Sequence, residues 1–214
     1  MPSNKSVKIC GLTRYKDLLL ADDLGADYFG FILYNGSPRC LKQAQLKSML
    51  KDLPLERCYF VDVMPETTQI EEYQALGCKR FQIHTKENTD DFTYKSYKQL
   101  IASGNLLLAP HIPDLRNFDT GLLEYTNDFI IDTYAADQIG GTGKTGDWSG
   151  FRQLASKYPQ KQWILAGGLS PSNIGAAIKE SGSNFYDINS GVEISPGIKD
   201  PNALKELFEK LQLY

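Results

Sequence analysis

Short runs rich in β-branched and aromatic residues alternate with longer amphipathic runs from one end of this 214-residue chain to the other. Strands are predicted near residues 7–10, 27–33, 57–63, 79–83, 105–109, 128–132, 162–166 and 184–188. Between them the apolar residues take helical spacing: Leu46, Met49, Leu50 and Leu53 after the second strand, and Leu204, Leu207, Phe208 and Leu211 after the eighth. Ser170-Pro171 and Asp200-Pro201 each place a capping side chain before a proline suited to a first helical turn. The weakest helix is expected after strand 5, where Pro110, Pro113 and Gly121 leave room for a short one only. A strand followed by a helix demands a parallel sheet covered by helices, and eight such units fit a closed (β/α)8 TIM barrel of the α/β class. The expected organisation is a single domain over residues 1–214, with a doubly wound open sheet as the alternative.

Composition narrows the partners. With 42% hydrophobic residues the chain can bury a sizeable core, while a net charge of −3 offers no electrostatic footprint for nucleic acid. No segment has the apolar length of a membrane span, and the first residues lack the apolar stretch of a signal peptide, so a cytoplasmic protein is expected. Cys10, Cys40, Cys58 and Cys78 are widely spread without C-x-x-C pairs or a nearby histidine, so they are expected as free thiols and no metal is expected.

In a barrel of this kind chemistry collects at the C-terminal ends of the strands and in the loops that follow. Cys10 closes strand 1, Gln82 and His84 close strand 4, and Asp132 closes strand 6. Cys10 is expected beside a helix N-terminus, whose unpaired N–H groups favour a thiolate. Asp132, after Phe129-Ile130-Ile131, is expected to be partly desolvated, which would suit a general acid. Gly167-Gly168 after strand 7 and Ser190-Gly191 after strand 8 fit the loops where barrels often hold phosphate. Gly143-Lys144-Thr145 has the look of a nucleotide loop, but Gln138 stands where the pattern needs glycine, and a glycine-rich flap over a ligand fits residues 133–148 better.

Taken together, VKICGLTR at 7–14, Ser37-Pro38-Arg39, FQIH at 81–84, IID at 130–132, GGTGKTGDW at 140–148, LAGGLSPSNI at 165–174 and INSGVEISPGIKD at 188–200 resemble the phosphoribosylanthranilate isomerases of tryptophan biosynthesis. The resemblance runs in order along nearly the whole chain. It implies an Amadori rearrangement of N-(5′-phosphoribosyl)anthranilate with no metal or organic cofactor. By motif it makes Cys10 the general base at the sugar C2′ and Asp132 the general acid at the ring oxygen. It puts Arg39 on the anthranilate carboxylate, Gln82 and His84 in the substrate site, Gly141, Gly143, Gly167, Gly168, Ser190 and Gly191 around the phosphate, and Asp187 near the sugar hydroxyls. The expected partner is a small phosphoribosyl substrate, without nucleic acid or membrane, and the expected assembly is a monomer or homodimer.

Two other readings remain open on sequence. Lys8 shares the inward face of strand 1 with Cys10 and would suit a Schiff-base aldolase, unless an ion pair inside the barrel occupies it. Thr85, His111, Gly146 and Val61-Asp62-Val63-Met64 depart from the family's usual pattern and bear on ligand packing and flap closure, and the departures at Gly146 and His111 leave open a barrel that binds a phosphorylated ligand without turning it over.

Overall fold

The computed structural model describes residues 5–51, 53–133 and 146–214. Eight parallel strands close on themselves: β1 (Ser6–Ile9), β2 (Tyr28–Ile32), β3 (Cys58–Val63), β4 (Arg80–Thr85), β5 (Leu106–Pro110), β6 (Asp128–Asp132), β7 (Gln162–Ala166) and β8 (Phe185–Ile188). Closure is made by β1 against β8, in a register that sets Lys8 beside Asp187 and Ile9 beside Ile188. The open-sheet alternative is therefore excluded.

Alternation along each strand sorts the side chains into two cores. Facing outward, Phe29, Phe31, Phe60, Phe81, Phe129 and Ile131 are buried beneath helices α1 (Tyr15–Asp23), α2 (Gln43–Met49), α3 (Thr67–Ala75), α4 (Asp91–Leu100), α5 (Trp148–Lys157), α6 (Ile174–Ser181) and α7 (Pro201–Gln212). Facing inward, Tyr59, Leu107, Ala109, Ile130, Ile164, Ala166 and Phe185 fill the cylinder. The last helix behaves as its spacing predicts: Asp200 caps it by accepting from Asn202 N–H at 2.8 Å, and Leu204, Leu207, Phe208 and Leu211 are buried. Each of those four side chains contributes about 1.5–3 kcal/mol of burial, which outweighs any propensity term in fixing the helix.

Local expectations fail in three places. After β5 the prolines leave no α-helix but two 3-10 turns, Leu115–Asn117 and Thr120–Glu124. Ser170 does not cap α6: its hydroxyl pairs with Ser172, and the helix begins at Ile174 after the turn made by Pro171, Ser172 and Asn173. In α2 the helix stops at Met49 with Leu50 as its cap, so Leu53 lies beyond it. One element was not anticipated, an antiparallel hairpin of β9 (Glu193–Ser195) and β10 (Ile198–Lys199) in the segment between β8 and α7.

Candidate active site

Inward alternation on β1 stacks Lys8 one layer below Cys10, and the same alternation brings Gln82 and His84 from β4 and Asp187 from β8 to the same interior. Lys8 is fully buried, and its Nζ donates to Asp187 Oδ1 at 2.6 Å and to Gln82 Oε1 at 2.8 Å. Burial alone pulls the Lys8 ammonium down, but the Asp187 carboxylate and Cys10 outweigh it and hold the group above its ordinary value. Lys8 is thus a charged, engaged ammonium rather than the neutral amine that a Schiff base requires.

Cys10 is 2% exposed. Its thiol lies against bare backbone of β2: a Cβ on Gly30 would fall 2.6 Å from the sulfur and 2.9 Å from Cys10 Cα, so only glycine leaves room for it. The expected helix effect is absent. Residues 11–14 separate the thiol from α1, whose cap is Arg14, and the sulfur faces the barrel interior. Burial pushes the Cys10 thiol up, Lys8 and Lys199 pull it back, and Asp187 adds to the rise; the net direction is upward. Whatever thiolate forms here owes its stability to lysines and not to a helix dipole.

Arg39 reaches the same rim from the loop after β2. Its Nε and Nη2 fork onto Glu193, at 3.0 Å to Oε1 and at 3.1 and 2.6 Å to Oε2. Lys199, also fully buried, donates to Glu193 Oε1 at 2.9 Å, to Asn189 Oδ1 at 3.0 Å and to the Asn189 carbonyl at 3.1 Å. Burial pushes the Glu193 carboxyl up, yet Arg39 and Lys199 outweigh that and keep it below its ordinary range. Sequence reasoning missed Glu193 and Lys199. The available signal was Pro196-Gly197, a turn dipeptide between two short runs, which folds the segment back and returns both charges to the rim.

Gln82 orders the opposite side. Because its Oε1 accepts from Lys8, its amide nitrogen is what meets His84 Nε2 at 2.8 Å, so Nε2 must accept and the imidazole proton sits on Nδ1. Burial, assisted by the Lys8 charge and partly offset by Asp187, lowers His84 from 6.5 to about 4. Beside it lies a cavity of about 150 Å³ lined by Ile32, Tyr34, Ser37, Val61 and Val63 as well as His84 and Asp62. A histidine neutral in the fold but free to protonate when unfolded costs stability as pH falls through about 6.5, and the loss is complete below about 4. His84→Gln is therefore expected to lose less stability than the native chain when urea unfolding is repeated across that window; equal losses would show that the ring titrates normally.

Asp132 ends β6 at the same rim but is exposed, which corrects the desolvation expected from its apolar neighbours. Phe129 and Ile131 point outward to the helices, so they do not shield it. In the loop after β7, Gly167 and Gly168 have φ of 99° and 62°. Gly191, after β8, is pressed on that loop: a Cβ there would lie 2.0 Å from the Leu169 carbonyl oxygen, so glycine lets the two loops meet. Ser190 opens the 3-10 turn Ser190–Val192 and is exposed. Gly141, Gly143 and most of the expected flap lie outside the described residues. Two of the unusual residues face away from the mouth, where the Asp62 carboxylate accepts from Tyr73 of α3 at 3.2 Å and the Thr85 hydroxyl from Tyr94 of α4 at 3.1 Å. Among the described residues no cluster of side chains could hold a metal ion, and no helix is long and apolar enough to cross a membrane.

Fold and site together define a (β/α)8-barrel protein with a buried thiol and a carboxyl group at one rim and paired loops after the last two strands. Residues 7–210 match the family model described as N-(5'phosphoribosyl)anthranilate (PRA) isomerase. The chain belongs to that family. Two curated relatives, the N-(5'-phosphoribosyl)anthranilate isomerases of Nostoc punctiforme and Nitrosomonas europaea, are 33% and 34% identical over 96% of this chain, covering 97% and 94% of their own lengths. Among solved structures, phosphoribosyl anthranilate isomerase from Thermotoga maritima superposes with a TM-score of 0.79 at 27% identity, over 98% of this chain and 100% of that one. A further structural neighbour, with a TM-score of 0.78 and 24% identity over 98% of this chain and 100% of its own, was solved with reduced 1-(o-carboxyphenylamino)-1-deoxyribulose 5-phosphate bound.

Proposed function

We propose that this isomerase converts N-(5′-phosphoribosyl)anthranilate into 1-(o-carboxyphenylamino)-1-deoxyribulose 5-phosphate in the cytoplasm, as a monomer or homodimer, without a cofactor. The observation that carries the reading is the Cys10 sulfur, sealed at the end of β1 among buried lysines in a barrel whose β6 ends in Asp132. In the proposed sequence Asp132 gives a proton to the furanose ring oxygen as its bond to C1′ breaks, and the anthranilate nitrogen supplies the electron pair that forms the imine. The Cys10 thiolate then takes the proton from C2′, the electrons of the broken C2′–H bond form the C1′=C2′ double bond, and the C1′=N π electrons move to nitrogen to give the enolamine. Ketonisation at C2′ and protonation at C1′ complete the isomer with no net change in atoms or electrons.

Arg39 keeps its Nη1 side for the anthranilate carboxylate while Glu193 holds the other edge, and the cavity beside His84 offers apolar walls for an aromatic ring. Gly141, Gly143, Gly167, Gly168, Ser190 and Gly191 receive the phosphate in this reading, and Asp187 steadies the sugar from below. The decay of fluorescence from freshly formed phosphoribosylanthranilate, followed with and without the protein, tests it. Accelerated decay with formation of the ribulose product is expected; an unchanged decay together with tight binding would make the chain a non-catalytic phosphate-ligand barrel.

A further inference from the structure

The charges around the Cys10 sulfur do not cancel. Among the described residues Lys8 faces it from β1 below, Asp187 from β8, Lys199 from β10 and Arg39 from the loop after β2, with Glu193 bound to the last two. Three cations meet two carboxylates, and one further anion balances the cluster. The sulfur is the group at its centre that can become that anion.

The cations differ in what they have left to give. Lys199 spends its ammonium on Glu193 and two oxygens of Asn189, and Arg39 commits its Nε–Nη2 edge to Glu193. An ammonium has three protons, and Lys8 places two of them on Asp187 and Gln82. The third proton remains, and Cys10 stands next above Lys8 on the inward face of the same strand, where the Lys8 charge is the largest that acts on the sulfur. Full burial leaves that interaction poorly screened by solvent.

We propose that Lys8 is a positioning residue for the rearrangement: its ammonium, anchored by Asp187 and Gln82, is the counter-ion that holds the Cys10 thiolate. This rests on the reading of Cys10 as the base. It assigns Lys8 a task beyond neutralising Asp187, since its attraction for the sulfur exceeds the repulsion from that carboxylate.

Two neutral replacements test it, Lys8→Gln and the charge-balanced pair Lys8→Met with Asp187→Asn; the second avoids stranding a buried carboxylate if the first folds poorly. The ionisation of Cys10 is read from the pH dependence of its alkylation by iodoacetamide, followed on the peptide that contains it. The expected result is an upward shift of the midpoint by about one pH unit or more, the size an opposite charge at close range commands. An unmoved midpoint in a folded neutral variant overturns the proposal, and so does Lys8→Arg failing to keep the midpoint nearer the native value than Lys8→Gln does. The pH profile of kcat/KM separates this from the function reading: its acidic limb should move with the alkylation midpoint. A shifted midpoint with a stationary limb keeps the Lys8–Cys10 pairing and removes Cys10 as the base.

Discussion

Cys10→Ala is expected to lower kcat by about 10²- to 10⁴-fold, the usual contribution of a positioned base, while the reduced product analogue still binds with little change. The sulfur is sealed between Gly30 and Lys8 below it, so its removal takes away the proton acceptor without touching Arg39 or the loops assigned to phosphate. Serine is expected to do little better than alanine, because a hydroxyl in that place does not ionise in the accessible pH range. The pH profile carries an independent signature. Burial pushes the thiol up, so the thiolate fraction grows as pH rises, and kcat/KM of the native chain should climb through that ionisation. The residual activity of Cys10→Ala should show no such limb. Near-native turnover in the alanine variant, or a limb that survives it, would show that another group takes the C2′ proton.

Strand positions were legible because apolar periodicity survives in every strand, whereas the electrostatics were not. A run such as Phe129-Ile130-Ile131 announces burial but not its direction: two of the three face the helices, and Asp132 at the end of the run stays exposed. Reading burial of the carboxyl from the apolar character of its neighbours confused the two faces of the strand. For Cys10 the error lay in distance along the chain, since a helix that starts at Tyr15 is too far to polarise a thiol that turns inward at residue 10. The charges that do act on it come from remote segments, from Asp187 on the neighbouring strand and from Lys199 on a hairpin of five strand residues, Glu193–Ser195 with Ile198–Lys199. Local pattern carries little about such meetings. Lys8 is the instructive exception, because strand alternation alone put it on the face of Cys10, and the barrel register then supplied Asp187 as its partner.

Asp132→Asn is expected to cost a further large factor, on the order of 10²–10⁴ in kcat, by a route opposite to that of Cys10. The amide keeps the shape and hydrogen-bonding reach of the carboxyl group but has no proton to give, so the ring oxygen must leave without assistance. Exposure sharpens the expectation. An acid open to water in the free protein does its work only once substrate lies over it and displaces that water, so the defect belongs in kcat, with KM largely preserved. Asp132→Glu restores the proton on a longer arm and should recover part of the loss. The two losses should also be separable by where the substrate stops: Cys10→Ala can still open the ring, and should release the C2′ hydrogen to solvent more slowly than the native chain does. Asp132→Asn blocks the earlier step and should leave the closed glycosylamine bound. A folded Asp132→Asn protein with nearly native kcat would transfer the acid role to another side chain at the rim.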